Sequence, residues 1–222
     1  MAYFTTDFIS FFRSLEENND REWFNAHKKH YETVVKAPFE LFVKDLIDRM
    51  HELDHRILLT PKDAIFRIYK DTRFSADKTP YKLFASAIIA PGGRKDHNAN
   101  GIYLELGGRH ARLYSGAYQP EKEQLLRIRE KIAAEPKRFS SLISDKAFIT
   151  HYGEIRGEKN KVLPAGLKEA GQIQPLIFNK AYYYFTEWAP EAITKKDFMD
   201  DILKRYQIVK PLTAFIMEAN QD

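Results

Sequence analysis

The sequence predicts an α+β fold, an antiparallel β-sheet with a meander core packed with N-terminal and C-terminal helices, on three observations. Apolar residues recur at helical spacing from Phe8 to Leu53. The period falls to two between Leu83 and Ala117, where glycine pairs mark turns. Helical spacing returns after Pro120, interrupted by one aromatic run from Ala181 to Trp188. Long 3.6-period stretches at both ends around a block of alternating strands fit helices segregated against an antiparallel sheet.

In chain order, Thr6 is expected to cap a first helix with Phe8, Phe11, Phe12 and Leu15 on its apolar stripe. Asn18, Asn19 and Asp20 make a turn, and Asp20 caps a second helix whose stripe is Phe24, His27, Tyr31 and Val34, with Trp23 beside it. His27 on that stripe reads as a buried, hydrogen-bonded histidine. Pro38 suits the first turn of a third helix, where a missing N–H costs nothing, and Phe39 through Leu53 carry the stripe to about Asp54.

After Pro61 the reading changes. Ile65 to Tyr69 is a short strand, Asp71 to Pro80 a loop rich in turn formers, and Leu83 to Ala90 a buried strand. Pro91-Gly92-Gly93 opens a polar excursion through Arg94 to Asn100. Ile102, Leu104 and Leu106 alternate with Tyr103 and Glu105, and Gly107-Gly108 closes a hairpin into Ala111 to Ala117. Pro120 opens a helix with Leu125, Ile128 and Ile132 on its apolar face, and a shorter one follows Pro136. Tyr152 to Gly171 is polar and mostly loop, with a short strand near Ile155. Ala181 to Trp188 is the last strand, joining the same sheet. Thr194 caps a final helix carrying Phe198, Ile202, Tyr206 and Val209, which Pro211 should kink or restart.

Composition limits the function. A chain of 222 residues without a Pro-, Gly- or Ser-rich linker suits a single domain over residues 1–222. Its 35 basic residues nearly cancel 31 acidic ones, and a net charge of +4 argues against a dedicated coat for a nucleic-acid backbone. The absence of cysteine rules out disulfides, thiolate metal sites and cysteine nucleophiles, and fits a reducing cytoplasm. The start, M-A-Y-F-T-T-D, has neither the basic nor the apolar region of a signal peptide, and Leu83 to Ala90 is too short to cross a bilayer. A soluble cytoplasmic protein without a membrane partner is expected.

The stretch most charged with chemistry is Phe66 to Lys82, F-R-I-Y-K-D-T-R-F-S-A-D-K-T-P-Y-K. It sets Arg67, Lys70, Arg73, Lys78 and Lys82 against Asp71 and Asp77, interleaved with Phe66, Tyr69, Phe74 and Tyr81. Arginine forks bind phosphate or carboxylate in bidentate fashion and lysines add point charges. Arg67, Arg73, Lys78, Tyr81 and Lys82 are therefore the candidate ligand-binding residues. Asp71 and Asp77 are candidates to orient those cations, to hold a divalent ion or to act as general base. The plainer reading has the same groups tie a long loop together by ion pairs.

Other patterns carry less. His51-Glu52-Leu53-Asp54-His55 matches H-E-x-x-H, but it falls at a helix end with no third ligand in view, so no metal site is assigned. The glycine pairs lack the G-x-x-x-x-G-K phosphate loop, Ser115-Gly116 lacks the G-x-S-x-G elbow, and no motif calls for a cofactor. The alternating tyrosines Tyr182, Tyr183 and Tyr184 bury one face and leave the other for packing or a groove.

Four segments in this order, N-N-D-R-E-W-F (Asn18 to Phe24), the Phe66 to Lys82 block, G-A-Y-Q-P (Gly116 to Pro120) and Lys210-Pro211-Leu212, resemble the DUF2461 family. The resemblance covers nearly the whole chain. It implies the extent of the fold and adds Gly116 and Tyr118 as ligand-binding candidates, but it supplies no chemistry. Three function classes stay open: a binding protein for an anionic small molecule, an enzyme acting on a phosphorylated or carboxylated small molecule with an aspartate base, and a nucleic-acid-associated protein.

Overall fold

A computed structural model describes residues 2–73, 75–95 and 101–219. Phe74 and the second half of the polar excursion, residues 96–100, lie outside the described residues. Helices α1 (Thr6–Glu17), α2 (Arg21–Ala26), α3 (Lys28–Tyr31), α4 (Ala37–Leu53) and α5 (Pro61–Ala64) precede strands β1 (Phe84–Ile89), β2 (Ile102–Gly107) and β3 (Ala111–Ala117). Helices α6 (Lys122–Ala134), α7 (Pro136–Ile143), α8 (Lys146–Tyr152) and α9 (Lys168–Ile173) follow, then β4 (Tyr182–Trp188) and α10 (Phe198–Glu218). The sheet has the order β1-β2-β3-β4, an antiparallel meander, so the fold is α+β and the Ala181 to Trp188 run is its fourth strand.

The chain divides into two compact units. The first comprises Met1–Ile89, Tyr103–Leu113 and Glu187–Ile202, the second Ala90–Ile102, Tyr114–Thr186 and Leu203–Asp222. In the first, α1 buries Phe8, Phe11, Phe12 and Leu15, and α4 buries Phe39, Phe42, Val43, Leu46, Ile47 and Met50. The phenylalanines form a chain of ring contacts: Phe42 to Phe4 at 5.0 Å, Phe4 to Phe8 at 4.7 Å and Phe8 to Phe12 at 5.3 Å. Each ring is nearly or fully buried, worth about 1.5–3 kcal/mol in transfer free energy. This aromatic core supports the turn and loop described below.

Several local expectations are corrected. Thr5, not Thr6, caps α1, accepting a hydrogen bond from the Asp7 N–H at 3.3 Å. The expected second helix breaks at His27, and the chain then runs helically from Lys28 to Leu53 through a π-helical turn at Glu32–Lys36. Pro38 explains that turn. It lacks the N–H that Val34 O would accept, and its ring would strike that carbonyl, so the preceding turn widens. The widening advances the buried face by one residue, from Val34 to Val35. His27 is exposed rather than buried; its Nδ1 lies 2.8 Å from Trp23 O and its ring stacks on Trp23 at 4.1 Å.

Ile65 to Tyr69 is extended but is not a regular strand. Ile65 bridges Ala87 and Tyr69 bridges Tyr81, and between them the ladder slips. Phe66 pairs with Ser86 and Ile68 with Lys82, two steps along one strand against four along the other. That bulge interrupts regular pairing.

In the second unit, α6 buries Ile128 and Ile132. The last helix, α10, runs from Phe198 to Glu218 with Pro211 inside it rather than restarting there. Thr194 does not cap α10; its hydroxyl donates to Glu191 O at 2.8 Å within a 3₁₀ turn, four residues before the helix begins. Two helices lie where a loop was expected or nothing was assigned. α8 is capped by Asp145, which accepts from the Ala147 and Phe148 N–H groups, and α9 follows Leu167. Near Ile155 there are isolated bridges, Arg156 to Tyr183 and Lys159 to Asn179, in place of a regular strand. Tyr184 donates to or accepts from Thr213 Oγ1 at 2.6 Å, and Ser115 Oγ, which lies 3.1 Å from the same atom, donates to Gly101 O. Ser115 is thus a buried structural hydroxyl. No helix among the described residues is long and apolar enough to cross a membrane.

Candidate functional site

Residues 70–73 and 75–80 belong to the tip of the hairpin that the Tyr69–Tyr81 bridge closes, with Lys70 N–H donating to Pro80 O at 2.8 Å. Two aspartates hold this tip in shape. Asp71 takes a bidentate pair from Arg73, Nε to Oδ1 at 3.0 Å and Nη2 to Oδ2 at 2.7 Å, and the Arg73 backbone N–H adds a third bond. Asp77 accepts from the Lys70 ammonium, from Thr79 N–H at 2.9 Å and from the Thr79 hydroxyl at 2.7 Å. Lys78 reaches back to Thr72 O at 2.9 Å. Part of the charged block is therefore a clamp on its own loop.

The base of the loop is anchored to the α1–α2 turn. Asn19 donates through Nδ2 to Tyr81 O at 3.0 Å and accepts from Tyr81 N–H at 3.1 Å, so one carboxamide satisfies both backbone groups of a buried residue. The Tyr81 ring stacks on Phe24 at 4.1 Å and 20°. Asp20 stiffens the turn by capping α2 through the Trp23 N–H at 2.8 Å. The N-N-D-R-E-W-F and Phe66 to Lys82 segments thus meet, although some forty residues separate them.

An open cleft of about 920 Å³ lies where they meet, lined by both segments: Asn19, Asp20, Arg21 and Asn25 from the turn and α2, and Arg67, Tyr69, Lys70, Thr72, Asp77, Lys78, Thr79, Pro80 and Tyr81 from the hairpin. Four cationic side chains, Arg21, Arg67, Lys70 and Lys78, face two anionic ones, Asp20 and Asp77. Lys70 is committed to Asp77 and Lys78 to a carbonyl. The side chains of Arg21 and Arg67 make no hydrogen bond or ion pair among the described residues, although the Arg67 charge is felt by both Asp71 and Lys82.

The electrostatics follow from these contacts. Arg73 beside Asp71 lowers that carboxyl to about 2, and Lys70 with the Thr79 donors holds Asp77 well below the usual carboxylate range. Burial lowers the Lys82 ammonium, which sits 5.1 Å above the Phe66 ring. Burial also raises the Tyr81 phenol, with Tyr69 and Asp20 adding to the shift and Arg21 opposing it.

Of the residues singled out from the sequence, Arg67, Asp77, Lys78 and Tyr81 line the cleft. Asp71, Arg73 and Lys82 belong to the same hairpin without lining it. Gly116 and Tyr118 do not line it either. Gly116 takes φ +90°, and a Cβ built there would meet Tyr182 O at 2.2 Å, so its bare backbone serves the close approach of β4. Tyr118 is exposed and sets its ring edge-on against Tyr183 at 5.1 Å. No pattern in the sequence marked Asn19, Arg21, Asn25 or Tyr69 as site residues; for Asn19 and Arg21 the one signal was their place in the Asn18 to Phe24 segment that resembles the family.

The H-E-x-x-H stretch runs past the end of α4. α4 ends at Leu53, so His55 lies beyond the helix, and His51 Nδ1 sits 3.1 Å from Ile57 O. Among the described residues no three His, Asp or Glu side chains gather as a metal site.

The profile of the family described as conserved hypothetical protein (DUF2461) matches residues 7–215, which takes in the turn, the hairpin and the whole sheet. The chain belongs to the DUF2461 family. No curated protein matches it. The family description carries no activity, and the cleft itself is the source of any functional reading.

Proposed function

We propose that this DUF2461 protein is a cytoplasmic binding protein, folded as one domain, that holds an anionic small molecule bearing phosphate or carboxylate in the cleft between the α1–α2 turn and the hairpin. One observation carries the reading: Arg21 and Arg67 border the cleft with no partner among the described residues, beside a loop whose own aspartates are already occupied. Solvent-facing guanidiniums on a preorganised frame recognise an oxyanion at little conformational cost. Lys78, which donates one hydrogen bond to Thr72 O, lines the same cleft and adds a third positive charge.

The enzyme alternative draws less support. A general base works best with a pKa near the operating pH, whereas Asp71 and Asp77 are both held ionised far below it by their cations. Nucleic-acid binding draws less as well, because the cleft's surplus is two positive charges rather than an extended basic stripe.

Titration of the full chain with inorganic phosphate by calorimetry tests the proposal. Binding around the millimolar range, about −4 kcal/mol, is expected. Arg67→Ala should weaken it by about 1.5–3 kcal/mol, the range for a hydrogen bond to a charged group. Absence of any heat with phosphate and with acetate at these concentrations would leave the block as a loop clamp alone.

A further inference from the structure

We propose that the anion bound in this cleft is a mononucleotide, its phosphate on Arg21 and Arg67 and its base stacked on Tyr69. The inference rests on the anion-binding reading above and adds the class of ligand to it.

Size is the first argument. A cleft of about 920 Å³ lies at the upper end of the range for small-molecule sites, roughly 300–1,000 Å³, and far exceeds what a lone phosphate fills. A ligand larger than phosphate has room there to touch the rest of the lining.

The aromatic lining is the second. Phe24 and Tyr81 stack on each other inside the first unit, and Tyr69 continues the series, its ring 5.4 Å from Tyr81 and 6.4 Å from Phe24. Tyr81 is 3 % exposed, whereas Tyr69 is 50 % exposed where it borders the cleft. A single exposed aromatic on a protein surface is ordinary. Tyr69 differs because it is braced from behind, fixed by its backbone bridge to Tyr81, and lines the same cleft as two guanidiniums without a partner among the described residues. A braced ring next to cations suits a planar heteroaromatic group joined to an anion, since every base offers a π-face.

Polar groups are the third. Asn25, whose carboxamide is unengaged among the described residues, and Thr72 line the same cleft and suit the hydroxyls of a ribose linking phosphate to base. A phosphorylated sugar alone would use the cations and these groups but leave Tyr69 without a role.

The test is a grid of calorimetric titrations on the full chain: inorganic phosphate, ribose 5-phosphate and adenosine 5′-monophosphate against wild type, Tyr69→Ala, Tyr69→Phe and Arg67→Ala. Stacking of one base on an aromatic side chain should make the nucleotide about tenfold tighter than ribose 5-phosphate in wild type. Tyr69→Phe keeps the ring and should keep that ratio. Tyr69→Ala should abolish it while leaving ribose 5-phosphate within about twofold, and this second ligand shows that the variant is folded. Arg67→Ala should weaken both ligands alike.

Equal affinity for the nucleotide and the sugar phosphate in wild type overturns the inference and leaves the anion site standing. Equal loss of both ligands in Tyr69→Ala overturns it in the same way. Failure of all three ligands to bind brings down the anion site itself. A single-stranded oligonucleotide that binds far more tightly than the monophosphate, with a steep fall in affinity on adding salt, would replace the small-molecule class with a nucleic-acid one.

Discussion

The Asn19 carboxamide is a small group on which the cleft depends, and Asn19→Ala measures that dependence. The substitution removes two hydrogen bonds, 3.0 and 3.1 Å long, and strands the backbone N–H and C=O of Tyr81, a residue only 3 % exposed. Two net hydrogen bonds at about 1 kcal/mol each, plus part of the penalty for an unpartnered buried group, come to about 2–3 kcal/mol. For a chain of this size that loss lowers the melting temperature by roughly 4–12 °C. Asn18→Ala is the matched control. Its Nδ2 reaches only Ser14 O from an exposed position, and the change should stay within about 0.5 kcal/mol. Equilibrium urea denaturation of the three proteins, with amide exchange at Lys70 and Lys82 as a local readout, makes the comparison. Those two N–H groups donate across the hairpin, to Pro80 O and Ile68 O, and lose protection if the hairpin loosens. Were Asn19→Ala to behave like Asn18→Ala in both measurements, the loop would be held by its own clamps. The account of the turn as the anchor of the cleft would then be refuted.

Two further predictions follow from geometry. Gly116→Ala forces a Cβ against Tyr182 O at a positive φ of 90°; thermal or chemical denaturation should show a loss of about 2 kcal/mol or more, and a neutral result would mean that β3 and β4 pair differently. The Asp71 carboxyl should titrate by NMR with a midpoint of about 2, because Arg73 favours its ionised form. A depressed folded-state pKa means that the clamp is fully present above the ordinary carboxylate pKa of about 4 and is lost as pH falls from there through about 2. In Arg73→Ala the midpoint should return towards the ordinary carboxylate value of about 4, and a midpoint unmoved by that change would show that the pair is not the cause.

How much of this was legible in advance differs by element. The meander was readable because Ile102, Leu104 and Leu106 alternate strictly with Tyr103 and Glu105, and because Gly107-Gly108 marks the turn; all three aliphatic residues are buried, as the period requires. The stripe of α4 was readable for the same reason, down to its end at Leu53. Capping residues were placed less well. Thr5 and Thr6 are chemically equal, and only the backbone path decides which hydroxyl reaches the Asp7 N–H. α8 and α9 were missed because short helices of seven and six residues carry too few apolar positions to show a period, and they are held by packing and by Asp145.

The sequence alone determined that five basic residues and two aspartates crowd one loop, and that the surplus charge must face water, an acid or an anion. It could not say which of the five would be free. That choice was made by reach: Arg73 stands two residues from Asp71 and closes a bidentate pair on it, Lys70 meets Asp77 across the hairpin, and Arg67 lines the cleft with both aspartates already engaged. Nor could it place Asn19 and Arg21 beside the loop, because that contact depends on the buried Phe24–Tyr81 stack, which joins positions distant in the chain. Spacing along a chain encodes local periodicity, while the convergence of two motifs on one cleft is a property of the packed core, and only the tertiary structure decided it.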